Sequence, residues 1–167
     1  MSSTKILSLM LDELHKRFLA VTTDLSEDDF TFKTDKNSPA IGWTIGHLTG
    51  GQHVYLRLIF LGEPPSQIQE YESFNTGTDS LYTNVPSFKK IVAFYESEFE
   101  ELKKFIETLT ENDLNSPTPH REKVPPFFQD TPLREILVSY IAHAFTHLGQ
   151  IIEIRRMLGK DISKINE

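Results

Sequence analysis

Apolar residues recur at three- and four-residue steps in four stretches of the chain, a period that predicts amphipathic α-helices. The first stretch covers residues 4–22, and the third covers residues 86–109 with a spacing close to 3.5 residues, which is typical of helix bundles. The second stretch, residues 39–61, is apolar around more than one face and therefore predicts a well-buried helix. The last stretch spans residues 130–158, between an N-terminal capping signal and a glycine that would end the helix.

Four glycines fall within the second predicted helix: Gly42, Gly46, Gly50 and Gly51. Each lowers helix propensity by roughly 1 kcal/mol relative to alanine. Close approach of a neighbouring helix or room for a ligand would compensate, and a locally broken helix would also explain them. Ser38 followed by Pro39 predicts the first turn of this helix, with the serine as its cap.

Two long connections separate the later helices. Residues 66–86 carry no clear period, and residues 110–130 are rich in proline. No strand-like alternation extends beyond a few residues. The pattern therefore predicts an all-α fold, a four-helix bundle with long connections after helices 2 and 3, formed as a single domain over residues 1–167.

Composition narrows the classes of partner. The chain has 17 Lys or Arg and 24 Asp or Glu, a net charge of −7, so nucleic acid, which needs a positive surface, is not an expected partner. No apolar run is long enough for a membrane span, and no secretion signal is visible. Cysteine is absent, so any metal must be held by nitrogen or oxygen. We expect a cytoplasmic protein, and apolar residues around several helix faces are consistent with a homodimer.

Two histidines in the last predicted helix are candidate functional residues. His143 and His147 are four residues apart, so their imidazoles stand one turn from each other on the same helix face. The apolar period also places both in the inward row of that helix. Such a pair can share a metal ion, although two ordinary polar residues would produce the same spacing.

A third imidazole would complete a metal site, and His47 in the buried second helix is the candidate. Three imidazoles suit zinc, nickel, cobalt or iron(II) and leave coordination positions for water or substrate, as in a catalytic site. A metal in such a site lowers the pKa of a bound water or thiol and so supplies a nucleophile near neutral pH.

Three short motifs in order along the chain allow a family to be named. They are Trp43-x-x-x-His47-Leu48, then His143-x-x-x-His147-x-Gly149-Gln150-Ile151, then Arg155-Arg156-x-Leu158-Gly159. Together they resemble the motifs of the DinB/YfiT-like superfamily of metal-dependent enzymes, and the resemblance covers nearly the whole chain. The two motifs of the last helix are its specific part.

The resemblance implies an up-down-down-up four-helix bundle with a three-histidine metal site at His47, His143 and His147. Characterised relatives include thiol S-transferases that use bacillithiol or glutathione and a mycothiol-dependent isomerase, while others are known only as stress-induced proteins. It thus implies a small-thiol S-transferase, or a related detoxification or stress enzyme, with a small-molecule substrate. A metal-dependent hydrolase of a small substrate and a non-catalytic metal-binding stress-response protein remain alternatives.

The same resemblance implies the cofactors. The expected ion is a divalent transition metal, zinc or nickel first, with cobalt, iron or manganese as alternatives. A low-molecular-weight thiol such as bacillithiol would act with it. The preference for thiol transfer rests on the resemblance only, and no general base stands out from the sequence.

Other polar residues could support the metal site or lie apart from it. Gln150 and Glu153 follow the histidine pair and could orient an imidazole N–H. His53 lies about 240° around the helix from His47, so it is expected at the surface or in a supporting position. The simplest expectation for His120, in a proline-rich connection, is contact with solvent.

Three aromatic residues could line a pocket above the metal or form plain core: Trp43, Tyr55 and Tyr140. Arg155 and Arg156 could bind an anionic cofactor or substrate. Their position in the last turns of a helix favours the simpler interpretation, a favourable interaction with the helix dipole.

Overall fold

The computed structural model describes residues 1–65, 71–78 and 85–165, and its regular structure there is helical. Residues 66–70 and 79–84, which belong to the predicted aperiodic connection, lie outside the described residues. The α-helices are α1 (Ser3–Thr22), α2 (Ile41–Val54), α3 (Phe88–Thr108), the short α4 (Glu111–Leu114) and α5 (Leu133–Met157). Extended pairing within the described ranges is limited to one isolated bridge, between Pro117 and Pro132. The all-α prediction is confirmed.

Side-chain caps mark the start of two of the four long helices. Ser2 and Ser87 each accept a hydrogen bond from the backbone N–H three residues later, so α1 and α3 begin within two residues of their predicted starts. The predicted cap of α2 is wrong. The Ser38 hydroxyl donates to the carboxylate of Asp35 instead, and Ala40 stands at the cap position without a side-chain hydrogen bond.

The second predicted helix is continuous but not uniform. α2 is regular through all four glycines, so a locally broken helix does not explain them. It then continues as a π-helical segment, Tyr55–Phe60. The backbone N–H of Leu61 donates to the carbonyl of Leu56, five residues earlier, at 3.0 Å, which is the hydrogen bond of this wider helix.

Contacts at the helix ends give the direction of each helix. Arg155, near the end of α5, donates to the Val21 carbonyl near the end of α1 at 2.9 Å, so these two helices are parallel. The backbone N–H of Ser3, at the start of α1, donates to Glu111 just beyond the end of α3 at 2.7 Å. α1 and α3 are therefore antiparallel.

Contacts along α2 show that it is antiparallel to α5. The Tyr140 hydroxyl of α5 donates to the side-chain oxygen of Gln52 at 2.8 Å. His47, earlier in α2, meets His147, later in α5, with ring centroids 4.8 Å apart. Increasing residue numbers in one helix thus correspond to decreasing numbers in the other.

Two further contacts complete the topology. Gln52 donates to the Tyr95 carbonyl of α3 at 2.9 Å, and Phe60 stacks on Phe105 further along α3, so α2 and α3 are parallel. The four long helices thus run up, down, down and up, as the family resemblance implied. α1 and α2 each pack against α3 and α5.

The core lies between the four long helices. Its fully buried side chains come from all of them and include Leu11, Leu14, Phe18, Ile45, Tyr95, Leu102, Leu137 and Ile151. Within the part of the chain that the structure describes, no helix is both long enough and apolar enough to cross a bilayer.

Candidate metal centre

The antiparallel packing of α2 on α5 brings three histidines together. His47 faces His143 and His147, and one ligand nitrogen from each ring lies within 4.8 Å of those of the other two. The Nε2 atoms of His143 and His147 are 3.2 Å apart. Two nitrogens bound to one zinc ion at about 2.0–2.1 Å are separated by about 3 to 3.5 Å, so His143 and His147 have the spacing of two ligands of a single ion. The role of these residues as ligands stays a prediction.

His47 is held by contacts on two sides. Its Nδ1 lies 2.7 Å from the carbonyl oxygen of Phe74. Because a carbonyl can only accept, Nδ1 carries the proton and Nε2 keeps its lone pair for a ligand. The indole of Trp43 stacks on the imidazole with ring centroids 4.8 Å apart and planes inclined by 7°. The ring is thus fixed in both tautomer and orientation.

His147 is oriented in the same way by a residue of its own helix. Its Nδ1 lies 2.7 Å from the side-chain oxygen of Gln150, which places the proton on Nδ1 and leaves Nε2 facing His143. The structure therefore supports the prediction that Gln150 orients an imidazole. The carboxylate of Glu153, the other candidate, instead forms an ion pair with Arg156 at 3.0 Å.

The surroundings of the two α5 histidines favour their neutral forms. Burial lowers the pKa of His143, and the neighbouring His47 lowers it further. Burial also lowers the pKa of His147, partly offset by the hydrogen bond to Gln150. A neutral imidazole is the form that binds a metal, so the lowered pKa values of His143 and His147 favour metal binding near neutral pH.

The histidines lie at the edge of the core rather than in it. The buried face of α5 passes through Tyr140, Leu148 and Ile151, whereas His143 is exposed and His147 is partly buried. The prediction that both occupy the buried row is therefore wrong. The reason is that α5 packs against α1 as well as α2, so residues that face only α2 fall on the flank of its buried face. A ligand can reach the cluster from this side.

A cavity adjoins His47 on the side of the following helical turn. It has a volume of about 170 Å³ and is mainly apolar. Its lining includes His47, Gly51, Val54, Tyr55 and Phe74. Of the two interpretations of Tyr55, a pocket residue or plain core, the structure agrees with the first.

Comparison with known proteins identifies the family of the chain. The family model described as the DinB superfamily matches residues 10–151. The chain belongs to the DinB superfamily. No curated protein matches it. Among solved structures, it is similar to one titled "Crystal structure of the conserved protein of locus from Enterococcus faecalis", with 17% sequence identity, a TM-score of 0.71, and coverage of 96% of this chain and 99% of the other. At this identity the likeness supports the shared fold alone.

Other histidines of this DinB-superfamily chain lie apart from the cluster. His53 is only 2% exposed, and its Nδ1 lies 2.8 Å from the carboxylate of Glu98 on α3, so the expected surface position is wrong. His15 stacks on Phe99 with ring centroids 3.8 Å apart. His120 is partly buried against Gly62 rather than simply solvated.

Arg155 also has a structural role. It is buried, and it bonds the Val21 carbonyl, the Asp24 carboxylate and the Asp161 carbonyl, which ties the ends of α1 and α5 together. With its guanidinium used in this way, it is not available to an anion at the metal centre. The favoured dipole interpretation was incomplete, because the sequence did not indicate burial.

Two supporting residues were not predicted. The Phe74 carbonyl holds His47, but a main-chain group leaves no mark in the sequence. Gly46 allows this contact, because a Cβ there would lie 2.6 Å from the Phe74 ring. The available signal was the glycine itself, for which close approach was one of the three explanations considered.

Proposed function

We propose that the protein is a metal-dependent enzyme in which His47, His143 and His147 bind a divalent transition metal. What carries this proposal is the convergence of three imidazole nitrogens within 4.8 Å on an accessible flank of the bundle. Three protein ligands leave coordination positions for a small molecule. When bound, the ion would lower the pKa of a coordinated thiol or water.

We further propose that the reaction is transfer of a low-molecular-weight thiol to a small electrophile. A thiol has a pKa of about 8.5, so it needs little further help once a cation stabilises its thiolate. A metal-bound water at the same three histidines would serve hydrolysis equally well, so the preference for thiol transfer rests on the resemblance to thiol S-transferases.

The chain's own residues would supply positioning. Trp43 and the Phe74 carbonyl hold His47, and Gln150 holds His147, so two of the three imidazoles are already oriented before a ligand arrives. The exposed side of His143 gives access to the cluster, and the apolar cavity beside His47 offers a dry surface for a substrate. A cytoplasmic location, where such thiols are kept reduced, belongs to the same proposal.

The test begins with protein purified without a histidine tag. We expect about one equivalent of metal by elemental analysis, and metal-dependent conjugation of monochlorobimane with bacillithiol or glutathione that a chelator abolishes. His143→Ala should lose both metal and activity. His120→Ala, a histidine outside the cluster, should lose neither. Activity that is absent with every thiol, or that is indifferent to the chelator, would refute thiol transfer, whereas loss of bound metal only in the cluster variant would still support the metal site.

A further inference from the structure

Gly51 is the glycine of α2 that packing does not explain. A Cβ at Gly42 would lie 2.4 Å from the Phe30 ring, and the corresponding distance at Gly46 to the Phe74 ring is 2.6 Å. A Cβ at Gly51 would meet nothing within 4 Å. Glycine is among the least favourable residues inside a helix, and here no close neighbour requires it.

The open space at Gly51 belongs to the cavity beside the metal centre. Gly51 is four residues after His47, so both lie on the same face of α2, one turn apart. Both line the cavity of about 170 Å³, together with Tyr55, Tyr71 and Phe74. Any larger side chain at position 51 would therefore project into the cavity, one helical turn from His47.

We propose that Gly51 keeps this cavity open as a subsite for an apolar group of the substrate, about the size of a benzene ring. The inference rests on the proposed function, because it assigns the cavity to the substrate that reacts at the three histidines. Apolar cavities of about 150 Å³ bind benzene in other proteins, so the volume is sufficient. The aromatic walls favour a flat apolar substituent over a charged one. The substrate class is thus a small electrophile that carries an aryl or similarly sized apolar group.

The experiment compares two ligands that differ only in this group. Cobalt(II)-loaded protein is titrated with 1-methylimidazole and with 1-benzylimidazole, and the visible spectrum of the ion reports coordination. We expect 1-benzylimidazole to bind wild-type protein about tenfold more tightly or better. In Gly51→Leu the side chain occupies the cavity, so the preference should fall to about twofold or less, while affinity for 1-methylimidazole and for cobalt stays near that of the wild type.

Gly149→Leu is the matched control. Gly149 is also a helical glycine whose Cβ would meet nothing within 4 Å, but it is exposed on α5, and a residue two positions after His147 faces away from it. This variant should keep the full preference for the benzyl group. Equal preference in the wild type and Gly51→Leu, or an equal loss in both leucine variants, would overturn the proposal.

A metal-free arm separates the two proposals. Benzyl alcohol should raise the Tm of wild-type and Gly149→Leu protein without metal, and it should not raise that of Gly51→Leu. If the protein binds no cobalt, the proposed function fails while this result still supports the subsite. If cobalt binds but benzyl alcohol has the same effect on all three proteins, the subsite is refuted and the metal centre stands.

Discussion

Gly46→Ala should damage the metal centre through a residue that does not belong to it. The new Cβ would lie 2.6 Å from three atoms of the buried Phe74 ring, closer than the 3.0 Å below which real Cβ contacts essentially do not occur. The ring must therefore shift, and the Phe74 carbonyl, which holds His47 Nδ1 at 2.7 Å, is carried by the same residue. A change of one methyl group should thus loosen a metal ligand.

The expected change in the stability of Gly46→Ala follows from two opposing effects. Crowding a packed core costs about 1–3 kcal/mol, and replacing a helical glycine by alanine returns up to about 1 kcal/mol, so a net loss of about 1 kcal/mol is expected. Loss of a supporting hydrogen bond typically weakens metal binding by about 10- to 100-fold. Gly51→Ala provides the matched comparison, because its Cβ meets nothing. It should gain about 1 kcal/mol and leave metal affinity unchanged, so the two variants should differ by about 2 kcal/mol.

Urea unfolding of metal-free protein followed by circular dichroism measures the stabilities, and competition with a chromophoric chelator measures zinc affinity. If Gly46→Ala were as stable as Gly51→Ala, the predicted contact with Phe74 would be absent. If its stability fell but zinc affinity did not, the Phe74 carbonyl would have no part in positioning His47. Either result would refute one named step of the reasoning.

Three further variants test the surroundings of the site. Gln150→Leu should weaken zinc binding by about tenfold in the same competition assay, with unchanged helix content, because His147 loses its acceptor. Glu98→Gln should destabilise the metal-free protein by about 2 kcal/mol in urea without changing zinc affinity, because Glu98 is buried between His53 and Arg57. Asp24→Asn tests pH dependence. The hydrogen bond from Arg155 lowers the pKa of Asp24, so its contribution is present above the ordinary pKa of about 3.9 and is lost as pH falls through the lowered value. At pH 7 Asp24→Asn should lose less than about 1 kcal/mol, and the difference from the wild type should shrink as pH falls through the lowered pKa of Asp24.

Where one face of a helix is polar, the helical period was sufficient to predict where the helix lies in the sequence. α1 and α3 end at Thr22 and Thr108, within a residue of the predicted ends, because their solvent faces leave clear apolar stripes. The second helix is apolar around most of its surface, so its period could not reveal where α2 becomes the π-helical segment Tyr55–Phe60. Its start was also misplaced, because the Ser38–Pro39 signal serves a turn with Asp35.

The candidate site was only partly predictable for a related reason. The four-residue spacing correctly placed His143 and His147 on one face, since that follows from helix geometry alone. Their depth depends on how α5 divides its surface between α1 and α2, which is a tertiary property, and it was predicted wrongly. The burial of His53 was missed in the same way, because its partner Glu98 is 45 residues away in sequence.

The glycines of α2 help to explain why neither the second helix nor the candidate site could be fully predicted from the sequence. Gly42, Gly46 and Gly50 face aromatic residues that come from the connections between the long helices, namely Phe30, Phe74 and Tyr71. A helix with ordinary side chains at those positions would hold the connections away from its surface. The connection after α2 could then not deliver the Phe74 carbonyl to His47, 27 residues earlier. A segment that lacked any period in the sequence therefore supports His47 of the candidate metal centre, and the low helix propensity of α2 is compensated by the tertiary contacts that its glycines permit.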